Sequence, residues 1–311
     1  MKAVVLGVSG FLGSNLASEL LRRKVKVIGF GLKDSRNHVL TEHGIEMIEG
    51  DMLDLATLKI PFDGVDWVIH YASTTSPTES MLEPKKDSMN LTASRIIFED
   101  AIKRSVKKIV FSSSGGTVYG DSPRVPVKET DPVHSLIPYT KTKLAVEAEL
   151  IRMCQNTSTV PVVLRYANPY GPNQYPAKGT GVITAWLEAL RDDKPIVVYG
   201  DGESARDYVY ISDAVNATVA ALESPNARGT YNVGTGTPTS LNELLQMVEA
   251  VTQRKLSVSR TMQRPSDVVK TIALDSTKAF AELGWKPTTS LRDGIAKTWE
   301  WVQKGEPFVI G

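Results

Sequence analysis

Apolar residues along this chain fall into short blocks separated by amphipathic stretches. Lys2–Leu6 is an apolar run followed at once by glycines, and Phe11–Arg23 then places its apolar residues at helical spacing. Val25–Phe30, Ile45–Glu49 and Asp66–Tyr71 read as a second, third and fourth strand. The pattern then predicts a long helix over Asn90–Arg104, a fifth strand at Lys108–Ser112, a second long helix over Tyr139–Gln155 and a sixth strand at Val160–Arg165. Strands rich in Val and Ile, apolar on both faces and alternating with helices, require a parallel sheet covered on both sides. The expected class is α/β, with a doubly wound parallel sheet.

Beyond Tyr166 the rhythm changes. Asn168–Gly181 is rich in Gly, Pro and Asn and reads as a loop, followed by a helix to about Arg191. Ile196–Tyr199, Ser212–Leu222 and Tyr231–Val233 read as strand, helix and strand, and helices over Leu241–Thr252, Ser276–Leu283 and Leu291–Val302 complete the chain. There is no internal repeat and no low-complexity linker. The expected division is residues 1–167 as one domain and 168–311 as a smaller lobe, with 208–236 returning to the first. A cleft between the two is where a small molecule would bind.

Composition narrows the chemistry. The chain has 311 residues, 41 % hydrophobic and 23 % charged, with a net charge of +1. Near-neutrality gives no electrostatic case for nucleic acid or an anionic membrane surface as partner. Cys154 is the single cysteine, so no internal disulfide or thiolate cluster forms, and His38, His43, His70 and His134 show no ligand spacing; no metal is expected. No stretch approaches the roughly 18 apolar residues of a membrane span, and residues 1–6 lead directly into a strand without a leader; the cytoplasm is the expected compartment.

Two local patterns carry chemistry. Gly7-Val8-Ser9-Gly10-Phe11-Leu12-Gly13 joins the first strand to the first helix, where glycines permit a tight turn and let a pyrophosphate approach the helix N-terminus. Its spacing is G-x-x-G-x-x-G. Tyr139 and Lys143 stand one helical turn apart, so Lys143 can hold a positive charge near the phenol and lower its pKa towards working pH. The end of the second strand is less regular. No acid follows Phe30 directly; Asp34 comes about three residues late, and Lys33 or Arg36 could meet a 2′-phosphate, so NAD and NADP both remain open. Asp51 and Met52, after the third strand, either flank the adenine or form a solvated loop.

Four motifs occur in one order: Gly7–Gly13, Ser112-Ser113-Ser114-Gly115-Gly116-Thr117-Val118-Tyr119-Gly120, Tyr139–Lys143, and Arg165-Tyr166-Ala167-Asn168-Pro169-Tyr170-Gly171-Pro172. Through them the chain resembles the extended short-chain dehydrogenase/reductase family, in its NAD-dependent nucleotide-sugar epimerase/dehydratase branch, with the UDP-galactose and related UDP-hexose 4-epimerases as nearest kin. The resemblance implies a Rossmann-type fold and assigns roles. Tyr139 matches the base that takes the proton from the sugar 4-hydroxyl, and Lys143 the residue that bonds the nicotinamide ribose and tunes the tyrosine. Ser114, or else Ser113, matches the serine that bridges the same hydroxyl; Gly115-Gly116 makes this loop one residue longer than the epimerase pattern. Tyr71, Ala72, Ser73 and Tyr166 match the cofactor side. Asn90 matches a structural or cofactor-side asparagine, with a helix cap as the alternative. Asn168, Arg206 and Arg264 match contacts to the nucleotide diphosphate, for which a planar guanidinium is well suited, and Asp267 matches a ribose contact.

The resemblance also sorts the reactions. Sugar dehydratases of this family carry an Asp-Glu pair in the loop after the fifth strand, and decarboxylases a Glu; this chain has Gly115-Gly116 there. What remains is reversible oxidation at C4: a UDP-hexose 4-epimerase using NAD, or an NADP-dependent 4-ketoreductase. His70–Pro77 departs from the Ala-Gly-Leu-Lys stretch usual in galactose epimerases, which points to a modified hexose with Ser73 and Thr74 as candidate contacts. A non-catalytic dinucleotide sensor is the third reading, and the retention of both Tyr139 and Lys143 speaks against it. The family pattern further implies a homodimer through the two long helices.

Overall fold

A computed structural model describes residues 1–55, 58–134, 136–175, 181–262, 267–305 and 308. The first half alternates as the apolar pattern requires: β1 (Lys2–Leu6), α1 (Phe11–Arg22), β2 (Lys26–Gly31), α2 (Arg36–Glu42), β3 (Glu46–Glu49), β4 (Trp67–His70), α3 (Pro77–Leu82), α4 (Pro84–Lys103), β5 (Lys108–Ser114), α5 (Gly115–Val118), α6 (Pro138–Met153) and β6 (Val160–Tyr166). Six of these strands, joined by the later β10 (Gly229–Val233), form one parallel sheet in the order β10-β6-β5-β4-β1-β2-β3. The architecture is the α/β, doubly wound parallel sheet expected from the alternation.

Period-two alternation divides the strand side chains between two cores. Val4, Leu6, Ile28, Phe30, Val68, Ile109 and Phe111 pack beneath α4 and α6 with Ile97, Phe98 and Leu150. Ala3, Val5, Val27, Ile69, Val110 and Leu164 face the other way, onto Leu16 and Leu20 of α1 and the apolar face of α8 (Ile211–Glu223). Lys108 ties that helix down: its buried Nζ donates to the carbonyls of Ala221, Leu222 and Ser224 at 2.7, 2.9 and 2.7 Å, satisfying carbonyls a helix end leaves open.

The remaining elements are β7 (Asn168–Tyr170), α7 (Val182–Arg191), β8 (Ile196–Tyr199), β9 (Ala205–Tyr210), β11 (Pro238–Ser240), α9 (Leu241–Thr252), β12 (Val258–Thr261), α10 (Thr277–Leu283) and α11 (Leu291–Lys304). They build a three-stranded sheet, β11-β9-β7, and a parallel pair, β12-β8. Among the described residues, no helix is long and apolar enough to cross a membrane, and no group of three His, Cys, Asp or Glu could hold a metal.

Two differences from the sequence pattern bear on the site. The first long helix starts at Pro84 rather than Asn90, with Pro in its first turn. Asn90 is therefore inside a helix and caps nothing. A short helix, α3, precedes it, opened by the capping box Ser76-Pro77-Thr78-Glu79, in which Ser76 Oγ accepts from Glu79 N–H and the Glu79 carboxylate accepts from Ser76 N–H.

Candidate active site

The chain leaves β1 towards β2 and β3, then crosses back so that β4 lies on the other side of β1. At such a switch point the loops diverge beyond the carboxyl ends of the strands and leave a crevice. The Gly7 turn, the loop after β4, Ser114 at the end of β5 and Tyr166 at the end of β6 all meet on that edge.

The Gly7–Gly13 turn is built for close approach. Gly7 has φ +79°, and a Cβ there would lie 2.9 Å from the Ala72 backbone nitrogen; one on Gly13 would lie 2.1 Å from the Gly7 carbonyl oxygen. Gly10 caps α1 without a side chain, and no acid occupies the first turn. The N–H groups of Phe11 and Leu12 are thus presented at an uncrowded positive helix end, which fits a dinucleotide pyrophosphate. After β2, Arg36 donates through Nε and Nη2 to the two carboxylate oxygens of Asp34 (2.7 and 2.5 Å) and lies over the Tyr175 and Phe308 rings. That pairing answers Arg36, which with Lys33 is one of the two cations that could meet a 2′-phosphate. Asp51 is exposed and accepts from Leu53 N–H, while the Met52 side chain is buried in the core beneath α4. The structure brings Met52 to the core, not to an open adenine surface.

The catalytic candidates converge on Tyr139. Its phenol interacts with the Ser114 hydroxyl, whose oxygen also accepts from Thr117 Oγ1 at 3.0 Å. Ser113 is not brought there: its hydroxyl donates to Glu147, one helical turn beyond Lys143 on α6. Ser114, the last residue of β5, is the serine that reaches Tyr139 near the start of α6. Lys143 Nζ donates to the Ser112 carbonyl at 2.8 Å and lies 4.8 Å from the Phe111 ring centroid and 5.6 Å from that of Tyr139.

The expected depression of the tyrosine pKa is absent from the protein alone. Burial and then the nearby Asp87 carboxylate push Tyr139 up to about 12, against the bond from Ser114. Burial likewise pushes Lys143 down to about 8, opposed by Asp87 and Glu147. Two neutralising pressures face each other here, and a charge brought by bound ligands would tip them.

The loop after β4 is held down by Asn90, together with Thr75 and Asp87, which the sequence left unassigned. Asn90 Oδ1 accepts from Thr74 N–H and Oγ1 (3.2 and 2.9 Å), its Nδ2 donates to Thr75 Oγ1, and Thr75 donates to Asp87 at 2.5 Å. Asn90 thus fastens the loop that carries Ala72 and Ser73 beside the glycine turn. Ser73 Oγ turns back to the Thr75 carbonyl. The Tyr71 and Tyr166 hydroxyls bond each other at 3.0 Å and both bond Thr218, so their polar ends are tied to α8. Asp87 lies one helical turn before Asn90, ahead of the helix that the apolar pattern predicts, so helical spacing does not single it out.

A cavity of about 570 Å³ opens from Tyr139 towards the C-terminal elements, with Thr117, Asn168, Arg206, Tyr208 and Asp267 in its wall. Asn168 donates to the Asp207 carbonyl at 3.1 Å, and Arg206 Nη1 to the carbonyls of Ala205 and Lys270. Arg264 lies outside the described residues.

Residues 3–234 match the NAD dependent epimerase/dehydratase family. A dTDP-4-dehydro-6-deoxyglucose reductase of Escherichia coli is 33 % identical over 303 residues, covering 94 % of this chain and 95 % of that protein. A UDP-glucose 4-epimerase of Mycolicibacterium smegmatis is 33 % identical over 309 residues, covering 96 % and 98 %. The solved structure of a Thermus thermophilus UDP-glucose 4-epimerase in complex with NAD superposes with a TM-score of 0.89 at 30 % identity, covering 97 % of this chain and 99 % of that one. The chain belongs to the NAD dependent epimerase/dehydratase family.

Proposed function

We propose that this protein is an NAD-dependent 4-epimerase of a UDP-hexose, acting through a transient 4-keto sugar. The observation that carries the reading is the position of Tyr139: it borders the large cavity, is bonded by Ser114, and lies within a turn of Lys143 at the switch-point edge. NAD supplies a hydride acceptor when bound. The residues that would hold it are the Gly7–Gly13 turn for the pyrophosphate and Lys143 for the nicotinamide ribose. Tyr139 takes the proton of the 4-hydroxyl, Ser114 fixes that oxygen, and Lys143 supplies the positive charge that favours phenolate. When hydride returns to the opposite face, Tyr139 gives the proton back. Arg206, Asn168 and Asp267 bind the nucleotide half.

Elimination chemistry lacks its acid and base: Gly115-Gly116 brings no carboxylate into this turn. A Cβ on Gly115 would fall 2.4 Å from Leu274 Cδ1 and 3.0 Å from the Arg165 carbonyl oxygen. Asp267 is the one carboxylate among the described residues lining the cavity. The second reading, a 4-ketoreductase, is favoured by the E. coli relative and uses the same tyrosine, serine and lysine.

Denaturing the purified protein and identifying the released nucleotide by chromatography and mass separates the two. Stoichiometric NAD, together with interconversion of UDP-glucose and UDP-galactose, supports the epimerase. An empty site that turns NADPH over with a 4-keto sugar overturns it. We place the reaction in the cytoplasm, where NAD is supplied. We also read the protein as a homodimer through α4 and α6, because Met89, Ile96 and Ile151 are exposed on those helices. Sedimentation at micromolar concentration tests this.

A further inference from the structure

Asp87 stands in the first turn of α4 and is 2 % exposed. Its Oδ1 accepts from Thr75, but its Oδ2 has no hydrogen-bond partner among the described residues. A carboxylate so buried is costly unless something charged answers it. It borders an internal pocket of about 10 Å³, room for about one water molecule, which it shares with Ser73, Asn90, Tyr139, Thr142 and Lys143.

The Lys143 ammonium meets charges and dipoles from four elements. From its own helix come Tyr139 and Glu147, from α4 Asp87, from β4 His70, and from β5 the Ser112 carbonyl and the Phe111 ring. His70 is buried and pushed down to about 3, so it is neutral and contributes no charge. Glu147 is already paired with Arg165 at 2.6 Å. Asp87 is therefore the carboxylate lining the small pocket with Lys143 that has no ion-pair partner within 4.0 Å among the described residues.

We propose that Asp87 is a positioning residue of this site, its open carboxylate oxygen holding Lys143 in the ammonium form through neutral pH. The inference rests on the epimerase reading for what the charge is used for, but not for its existence. Burial alone drives a lysine towards the neutral amine, which could neither attract a ribose hydroxyl's lone pairs as strongly nor favour the phenolate of Tyr139. Asp87 opposes that tendency from across the small pocket it shares with Lys143. Its other oxygen, through Thr75 and Asn90, keeps the loop after β4 in place, so charge and loop position are set by one side chain.

The test is a pH titration of the full chain labelled with ¹⁵N-lysine, with the Lys143 signal assigned by its loss in Lys143→Met. In the wild type the midpoint should lie above neutrality. Asp87→Asn keeps size and can still accept from Thr75, yet removes the charge; it should lower the midpoint by about one pH unit or more, and the alkaline limb of turnover should move down with it. Thr75→Val breaks the anchor and leaves the carboxylate, so the midpoint should stay. An unmoved midpoint in Asp87→Asn overturns the proposal, and so does a wild-type midpoint below neutrality, which can be read even if the variant does not fold. A shifted midpoint in a protein that interconverts no nucleotide sugar would overturn the epimerase reading alone.

Discussion

Two buried polar clusters lie one turn apart along α6, and they are built on opposite rules. Around Glu147 every group is answered. Arg165 reaches it at 2.6 Å, Ser113 donates to it, Arg165 also donates to the Tyr119 hydroxyl at 2.9 Å, and Tyr119 donates to Asn232 at 2.7 Å. Asn232 completes the chain by donating to the Val127 carbonyl at 2.9 Å. Four residues earlier on the helix, around Lys143, satisfaction stops. Asp87 Oδ2, Thr140 Oγ1 and His70 Nδ1 are buried without hydrogen-bond partners among the described residues, and Tyr139 and Lys143 are both displaced towards their neutral forms. A satisfied network fixes the geometry of β5, β6, β10 and α6; an unsatisfied one leaves free energy to be gained when a ligand arrives. The first cluster is scaffold, and the second is the part that reacts.

The largest expected effect separates them by readout. Tyr139→Phe removes one hydroxyl from the open cluster and should lower turnover about 10²- to 10⁴-fold, the usual worth of a positioned acid–base group, while cofactor stays bound and the unfolding midpoint hardly moves. Steady-state rates and a urea melt on the same sample check both halves. Arg165→Met should do the reverse. It leaves the buried Glu147 carboxylate unpaired and should cost about 3–5 kcal/mol of stability, much of it recovered by adding Glu147→Met. A single variant as stable as the wild type would mean that the satisfied cluster is not scaffold.

The two serines sharpen the same contrast at smaller scale, because they are neighbours on one strand with opposite allegiances. Ser114→Ala should slow turnover about 10- to 100-fold, the equivalent of a hydrogen bond to a charged group worth about 1.5–3 kcal/mol, without destabilising the fold. Ser113→Ala should leave turnover nearly intact and cost about 1–3 kcal/mol in stability, since Glu147 loses a donor in a buried place. Equal effects on rate would erase the distinction between the clusters.

What the sequence makes legible, and what it hides, follows the same division. The six strands and the helices α1 and α6 between Lys2 and Tyr166 are readable because each apolar block answers to a single local period, whereas the short helices α2, α3 and α5 and the first turns of α4 carry no such block. Leu241–Thr252 and Ile196–Tyr199 coincide with their elements for the same reason. Tyr139 and Lys143 are readable because four residues make one helical turn. Asp87 is not, since its meaning depends on α4 crossing α6, a contact between segments more than 50 residues apart in the chain. Nor can the order Ser112-Ser113-Ser114 tell which hydroxyl faces the phenol, as a one-residue change of register exchanges the faces. The β9 strand is obscured by its mixture of charged and aromatic residues, Ala205-Arg206-Asp207-Tyr208-Val209-Tyr210, which shows no clean alternation because its last four residues, on both faces, are all buried.

The smallest effect concerns the pH dependence of stability, where the open cluster should leave a signature that the closed one does not. Lys143 is held at about 8 in the folded protein, below its ordinary 10.5. Between those values the unfolded chain binds more protons than the folded one, so this residue makes stability rise as pH increases from about 8 to 10.5. Tyr139, pushed from 10.0 up to about 12, acts oppositely: over that higher window the folded state keeps a proton the unfolded state has lost, and stability falls. The net contribution of the pair is a shallow maximum near pH 10. Lys108 is also pushed down to about 8 and adds to the rise, so the test is a difference between proteins rather than a single curve. Urea midpoints of the wild type and Lys143→Met, measured from pH 7 to 10, should converge as pH increases, because the lysine's burial cost disappears once it is neutral. Parallel curves would mean that Lys143 is no more burdened by burial than a surface lysine, and the open cluster would then lose its claim to be held away from electrostatic rest.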